Sequence, residues 1–227
     1  FAPLRVGVLS TGDELWEPGQ DIQKGKIYDA NRHMLLSQVE SIGCLTVDFG
    51  IVADDAPVLR TVLDEVSANC DVLLTTGGAS AGDEDHMSAL LRSEGSLSMW
   101  RIAVKPGRPM AMGLWKGLPV FGLPGNPVAA FVCTLVFAQP ALRQLAGGHW
   151  HHAEGFMVPA AFSKLKKPGR YEYLRARLVD GRAEVFAFEG SGRITGLSWA
   201  EGLVELDEKA RNIEPEDLVR FIPYACF

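Results

Sequence analysis

Cysteine is sparse in this sequence and never clustered. Among 227 residues there are four, Cys44, Cys70, Cys133 and Cys226, widely spread and without a CxxC. A zinc ribbon or a disulfide framework requires closer or patterned spacing, so reduced thiols and a cytoplasmic setting are expected. Long apolar runs are missing as well. VLLTTGG stops at glycines and AAFVCTLVFAQPAL is interrupted by Pro140, which argues against a bilayer span. The opening FAPLRVGVLSTGDEL lacks the charged, apolar and small-residue sections of a secretory leader. It also lacks an initiating methionine, the expectation for a fragment or processed product. Positive charge is in deficit: 22 Lys and Arg against 28 Asp and Glu give a net −6, the wrong sign for a general nucleic-acid surface. There is no repeat and no low-complexity tract. What remains is an ordinary globular composition, 47% hydrophobic and 22% charged, which excludes disorder and collagen and suffices for one large or two small cores.

Two rhythms divide the chain. From LRVGVLS onward, short apolar runs alternate with helical spacing. Met34, Leu35, Val39 and Ile42 recur on one helix face up to Gly43; Val58, Leu59, Val62, Leu63 and Val66 do the same after Asp55 and Pro57, a cap and an opening proline. DVLLTTGG reads as a strand buried on both faces. MWRIAV, PMAMG and LPVFGLP follow as strands, then a helix from Pro127 to Leu145. Such alternation predicts an α/β domain over 1–148, a mostly parallel sheet with helices on both faces. GGHWHH marks the change; His149, His151 and His152 there lack a partner spaced for zinc and read as a flexible linker. Over 149–227, YEYLRARLV, RAEVFAF and DLVRFIPY have strand lengths, and Asp180-Gly181 is a hairpin signal. A small β-barrel is predicted there.

Three loops fall at predicted strand ends: Ser10-Thr11-Gly12-Asp13-Glu14, Thr75 to Asp85, and Gly122-Leu123-Pro124-Gly125-Asn126-Pro127. Ligands of α/β sheets bind beyond the carboxyl ends of the strands, where glycines admit close approach and helix N-termini favour anions. Glu14, Asp83 and Asp85 would set carboxylates beside this anion-suited backbone, a combination that makes sense with a bridging Mg²⁺. Asp54 reads either as a fourth acid or as part of an ordinary helix start. Lys105-Pro106-Gly107-Arg108-Pro109, with Arg101 just before it, suits phosphate or another oxyanion, or is a solvated basic turn. Arg175 and Arg177 share a strand face, and the plain reading of them is an exposed basic stripe. Gly78-Ala79-Ser80-Ala81-Gly82 also matches the G-x-S-x-G nucleophile elbow of a serine hydrolase, although Asp-Glu-Asp-His follows it rather than a helix pattern.

Taken together and in order, STGDEL, DANRHML, TTGGASAGDEDH, KPGRPMAMG and GLPGNPVAA, followed by GRYEYLR and GSGRITGLSWAEGL, resemble the molybdopterin molybdenumtransferase (MoeA and gephyrin E-domain) family. The resemblance implies a reaction in which adenylated molybdopterin is cleaved with Mg²⁺ present, molybdate supplies the metal, and AMP is released. It also implies a homodimer and a molybdopterin adenylyltransferase as functional partner. By motif, the catalytic positions are Glu14, Asp54, Asp85, Arg101 and Lys105, with Glu14 and Asp85 toward the metal. Substrate positions are Gly77, Gly78, Ser80, Asp83, Arg108, Pro124, Gly125, Asn126 and Pro127, with Arg170 or Arg175 and Ser191 contributing to a molybdate pocket. Two positions depart from the pattern: Ala129 stands where many members have Ser, and His86 replaces an aromatic. Members usually carry further N-terminal domains, whereas residue 1 here falls almost at the first strand. The alternative function is a molybdopterin-binding module without catalysis.

Overall fold

The chain is described from a computed structural model over residues 2–77, 86–107, 109–188, 190 and 192–227, with backbone alone at 99–101 and 109. The alternating first rhythm produces β1 (Arg5–Thr11), the two-residue strands β2 (Leu15–Trp16) and β3 (Ile27–Tyr28), α1 (Asn31–Ser41), β4 (Leu45–Val52), α2 (Ala56–Asn69), β5 (Val72–Thr76), α3 (His86–Glu94), β6 (Ser96–Arg101), β7 (Val104–Lys105), β8 (Pro109–Trp115) and β9 (Leu118–Leu123). Six of these strands form one sheet in the order β4-β1-β5-β9-β8-β6, in which β8 alone runs against the others. Val6, Val8, Val72, Leu74 and Phe121 bury one face under Leu35 and Val39 of α1 and Leu142 farther along the chain. Leu9, Leu73 and Val120 bury the other under Leu59, Leu63 and Val66 of α2 and Leu90 and Leu91 of α3. Successive strand residues thus feed opposite cores, which is why these strands read as unbroken apolar runs. Asp55 caps α2 as the sequence indicates, accepting from the Val58 N–H at 3.1 Å.

Two sequence expectations change. MWRIAV is not one strand: β6 ends at Arg101, and Val104–Lys105 forms β7, which leaves the first sheet and pairs in parallel with Tyr171–Glu172 of the second. Pro140 does not cut its apolar run. Helix α4 (Pro127–Cys133) passes through a π turn (Thr134–Ala138) into α5 (Gln139–Leu145). The wider turn accommodates the missing N–H and the ring of Pro140, so the axis continues. The continuous 19-residue helix is long and apolar enough to cross a membrane, yet 61% of its apolar window is buried inside this fold.

The second rhythm produces β10 (Phe156–Pro159), β11 (Lys164–Lys166), β12 (Tyr171–Val179), β13 (Arg182–Val185), α6 (Thr195–Trp199), β14 (Gly202–Leu206), β15 (Arg211–Ile213) and β16 (Leu218–Pro223). The antiparallel order β10-β16-β14-β12-β13 is joined end to end by the Ala160–Ala183 bridge, which closes the strands into a small barrel around Ala176, Val204, Leu206 and Phe221. Asp180 and Gly181 both adopt positive φ, +50° and +75°, as the tight β12–β13 hairpin requires. A further apolar cluster packs Val132 and Leu135 of the helix that begins with α4 on Val104, Tyr173, Leu203 and Ile222 of the second sheet. The linker histidines are partly tied down: His151 Nε2 lies 3.0 Å from the Cys226 carbonyl. All four cysteines are free thiols; burial pushes the Cys133 thiol up to about 12, so it stays protonated.

Candidate functional site

The strand order reverses between β1 and β5, the switch point at which α/β sheets place a ligand crevice, with Thr11 and Thr76 at its two sides. The loop after β9 completes it. Gly77 has φ +82°, and a Cβ on it would lie 2.2 Å from the Thr11 carbonyl oxygen, so the first two loops touch only because residue 77 is glycine. A Cβ on Gly125 would come within 3.9 Å of Gly77 Cα, which sets the third loop beside the second. Gly12, at φ +150°, leaves room for the Glu14 carboxylate; a Cβ there would lie 2.7 Å from Glu14 Oε2.

Asn31 ties these loops to α1. Its Nδ2 donates to Thr76 Oγ1 at 2.7 Å and to the Gly125 carbonyl at 2.8 Å. Asp29 accepts from the backbone N–H of Asn31 and Arg32, at 3.1 and 3.2 Å, and so serves the first turn of α1 from the chain just before it. Arg32 beside it is buried and pairs with Asp29, Asp48 and Glu17. Burial opposes the charge of Asp48, but the Arg32 guanidinium outweighs it and holds that carboxyl below its ordinary value. The loop bearing Glu14 is thereby anchored through Glu17. Asn31 and the Arg32 network were not singled out as site residues from sequence. The DANRHML motif was the available signal, but it carries no indication of which loops its side chains reach.

Several polar atoms at this edge are buried and have no partner among the described residues: Thr11 Oγ1, Asn31 Oδ1, Asp54 Oδ1 and Asn126 Oδ1. Orphaned buried polar atoms are uncommon in folded proteins and are frequently met by a bound group. Asp54 thus stands at the edge with a buried carboxylate oxygen that has no partner among the described residues. Asn126 precedes α4 without capping it through its side chain, so the first-turn N–H groups take no cap from that residue.

A cavity of about 310 Å³ lies on the barrel side of α4, lined by Lys105, Gly107, Val128, Lys164, Arg175 and Phe186, among others. Val128 is in the first turn of α4, directly after the third loop, so the cavity adjoins the loop edge. Arg175 is 5% exposed rather than part of an exposed stripe. Its NH1 donates to the Arg193 carbonyl at 2.7 Å, its NH2 to the Phe188 and Gly190 carbonyls, and its guanidinium stacks 4.7 Å from the Phe186 ring centroid. Burial lowers the Arg175 guanidinium from its ordinary value. Of the two alternatives at this point, Arg175 lines the cavity; Arg170 does not, and its carbonyl accepts from Lys166. Ala129 is buried against Gly107, where an added Cβ would meet its own at 3.8 Å.

Gly78, Ser80, Asp83, Asp85, Arg108 and Ser191 lie outside the described residues, as do the side chain of Arg101 and the whole G-x-S-x-G segment. Among the described residues no cluster of three His, Cys, Asp or Glu side chains could hold a metal ion.

Residues 7–144 match the family described as "Probable molybdopterin binding domain", and residues 158–224 match "MoeA C-terminal region (domain IV)". The chain belongs to the MoeA family. It is similar to a molybdopterin molybdenumtransferase of Haemophilus influenzae, 32% identical over 230 residues that cover 99% of this chain and 57% of that protein. A Nostoc protein of the same name is 32% identical over 212 residues, covering 89% of this chain and 49% of its own length. Among solved structures, the MoeA molybdopterin biosynthesis protein of Pyrococcus horikoshii superposes with TM-score 0.84 at 27% identity, over 97% of this chain and 54% of that one. The chain therefore spans about half the length of these MoeA relatives.

Proposed function

We propose that this chain carries the substrate-holding part of molybdenum insertion. It binds adenylated molybdopterin along the carboxyl edge of the first sheet and molybdate in the cavity on the barrel side of α4. With Mg²⁺ it cleaves the adenylyl phosphoanhydride and releases AMP. The observation that carries this reading is the course of Lys105–Gly107. The segment leaves the first sheet, adds β7 to the second, and places Lys105 in a cavity that also holds Arg175 and adjoins the third loop. An anion site and a crevice with buried polar atoms that lack partners among the described residues are thereby next to each other.

In this reading Gly77, Gly78 and Gly125 let backbone approach the ligand, and Pro124 and Pro127 hold the third loop. Thr11, Asn31 and Asn126 offer substrate donors side-chain oxygens that have no partner among the described residues. Asp54, Glu14 and Asp85 would hold Mg²⁺, with Asp83 beside them; the fit rests on Asp54 Oδ1, a buried anionic oxygen lacking a partner among the described residues. A bound Mg²⁺ supplies neutralisation of the phosphoanhydride charge. Lys105, Arg101 and Arg108 stabilise charge on phosphoryl and molybdate oxygens, while Arg175 walls the oxyanion pocket with Ser191. Ser80 contacts the ligand from the second loop. Action as a homodimer, and receipt of substrate from a molybdopterin adenylyltransferase, are supported by family membership alone.

Calorimetric titration of the chain with adenylated molybdopterin, with and without Mg²⁺ and then with molybdate, tests this. Binding followed by AMP release is the expected result. Binding without release reduces the chain to a holding module whose chemistry needs the remaining length of its relatives. Absence of binding under both conditions overturns the site, and ester hydrolysis by wild type and Ser80→Ala would then test the serine reading.

A further inference from the structure

The cavity on the barrel side of α4 contains a second lysine that neither the sequence motifs nor family membership assigns. Lys164 lies on β11, its side chain 11% exposed, and lines the same cavity wall as Lys105. Both ammonium groups converge on one atom: Glu172 Oε2 lies 3.4 Å from Lys105 Nζ and 3.3 Å from Lys164 Nζ. Glu172 itself is 6% exposed and stands in register with Lys105 across the β7–β12 pairing. A shared oxygen at those distances keeps two like charges within about 7 Å of each other, a separation at which they repel appreciably inside a protein.

We propose that Lys164 is a further oxyanion-binding residue of this cavity and that Glu172 is the positioning residue that holds Lys105 and Lys164 convergent. The proposal rests on the oxyanion reading of the cavity given above. A tetrahedral oxyanion presents four acceptor oxygens, which suits ammonium donors that approach from two separate strands, one from each part of the chain. A buried carboxylate shared by both flexible lysine stems draws their ammonium groups toward one point of the cavity. Glu172 is a suitable anchor because it is buried and fixed by the ladder on both sides, to Lys105 on β7 and to Leu206 on β14.

Titration of the 227-residue chain with sodium molybdate and, separately, with AMP tests the assignment in wild type, Lys164→Met, Lys164→Arg, Glu172→Gln and the Glu172→Gln, Lys164→Met pair. Lys164→Met is expected to weaken molybdate about tenfold or more, the loss of one charge-assisted contact, with AMP affinity unchanged and Lys164→Arg largely restoring the affinity. Glu172→Gln is expected to weaken molybdate as well, with that penalty shrinking in the Lys164→Met background, because a positioning role is coupled to the residue it positions. Molybdate binding by Lys164→Met within about twofold of wild type would remove Lys164 from the site. Tighter binding by Glu172→Gln, or additive losses in the pair, would overturn the positioning role. AMP binding without any molybdate binding in wild type would instead overturn the oxyanion reading of the cavity, and this inference with it.

Discussion

The side-chain amide of Asn31 donates at 2.8 Å to the carbonyl of Gly125, fastening the first turn of α1 to the loop between β9 and α4. The same nitrogen reaches Thr76 Oγ1, so one residue spans the ends of two strands. Asn31→Ala is expected to cost about 1–3 kcal/mol, because buried polar groups lose their partner. It should also weaken AMP binding. Asn31→Asp should be worse, since a carboxylate facing the Gly125 carbonyl sets acceptor against acceptor. Urea unfolding and AMP titration of both variants check this, and full retention of affinity by Asn31→Ala would separate Asn31 from the site.

Gly77 and Gly19 have similar backbone angles, φ +82° and +88°, but different surroundings. Alanine at either position meets a conformational cost of about 1 kcal/mol. At Gly77 the added methyl would also stand 2.2 Å from the Thr11 carbonyl, whereas at Gly19 nothing lies within 4 Å. Gly77→Ala should therefore lower stability or displace the loop and abolish AMP binding, while Gly19→Ala leaves binding intact. Equal behaviour of the two variants in thermal unfolding and AMP titration would show that the close approach does not matter.

Arg32 faces Asp29, Asp48 and Glu17. Replacing it with methionine leaves buried Asp29 without its cation, a loss on the order of 3 kcal/mol at neutral pH. The sign of the pH dependence follows from Asp48. Its folded carboxyl sits below its ordinary value, so its contribution is fully present above the unfolded pKa near 4 and is lost as pH falls through the lower folded value. The stability gap between wild type and Arg32→Met should accordingly narrow as pH drops below about 4. Chemical denaturation at several pH values measures it; a gap that widens on acidification contradicts the ion-pair account.

Arg175 joins the carbonyls of Phe188, Gly190 and Arg193. A lysine cannot reproduce that planar fork. Arg175→Lys should speed hydrogen exchange in the described residues around 186–194 and weaken molybdate, while exchange in the first sheet stays unchanged. Unaltered exchange there would make the three carbonyl bonds incidental.

The elements of the first sheet were largely legible because each strand and helix announces itself within a dozen residues. Asp55 caps α2 and Asp180-Gly181 turns the hairpin, both through local backbone chemistry. The misreadings share one cause. MWRIAV looked like one strand because apolar continuity does not record which sheet a residue joins. Arg175 looked exposed because period-two spacing does not reveal what covers a face. The helix over 127–145 was legible, although the π turn that carries it past Pro140 leaves no strong local signal.

Composition, periodicity and motif order by themselves determined the α/β class, the barrel that follows it, the family and the three loops at strand ends, because these depend on neighbours in sequence. Only the tertiary structure decided that Asn31 reaches Gly125, that Asp54 has a buried oxygen without a partner among the described residues, and that Lys105 and Lys164 share Glu172. Those relationships join residues from separate strands and loops. Their distances are set by sheet order and by the close packing of the helix that begins with α4 on the second sheet, and no sequence window contains either.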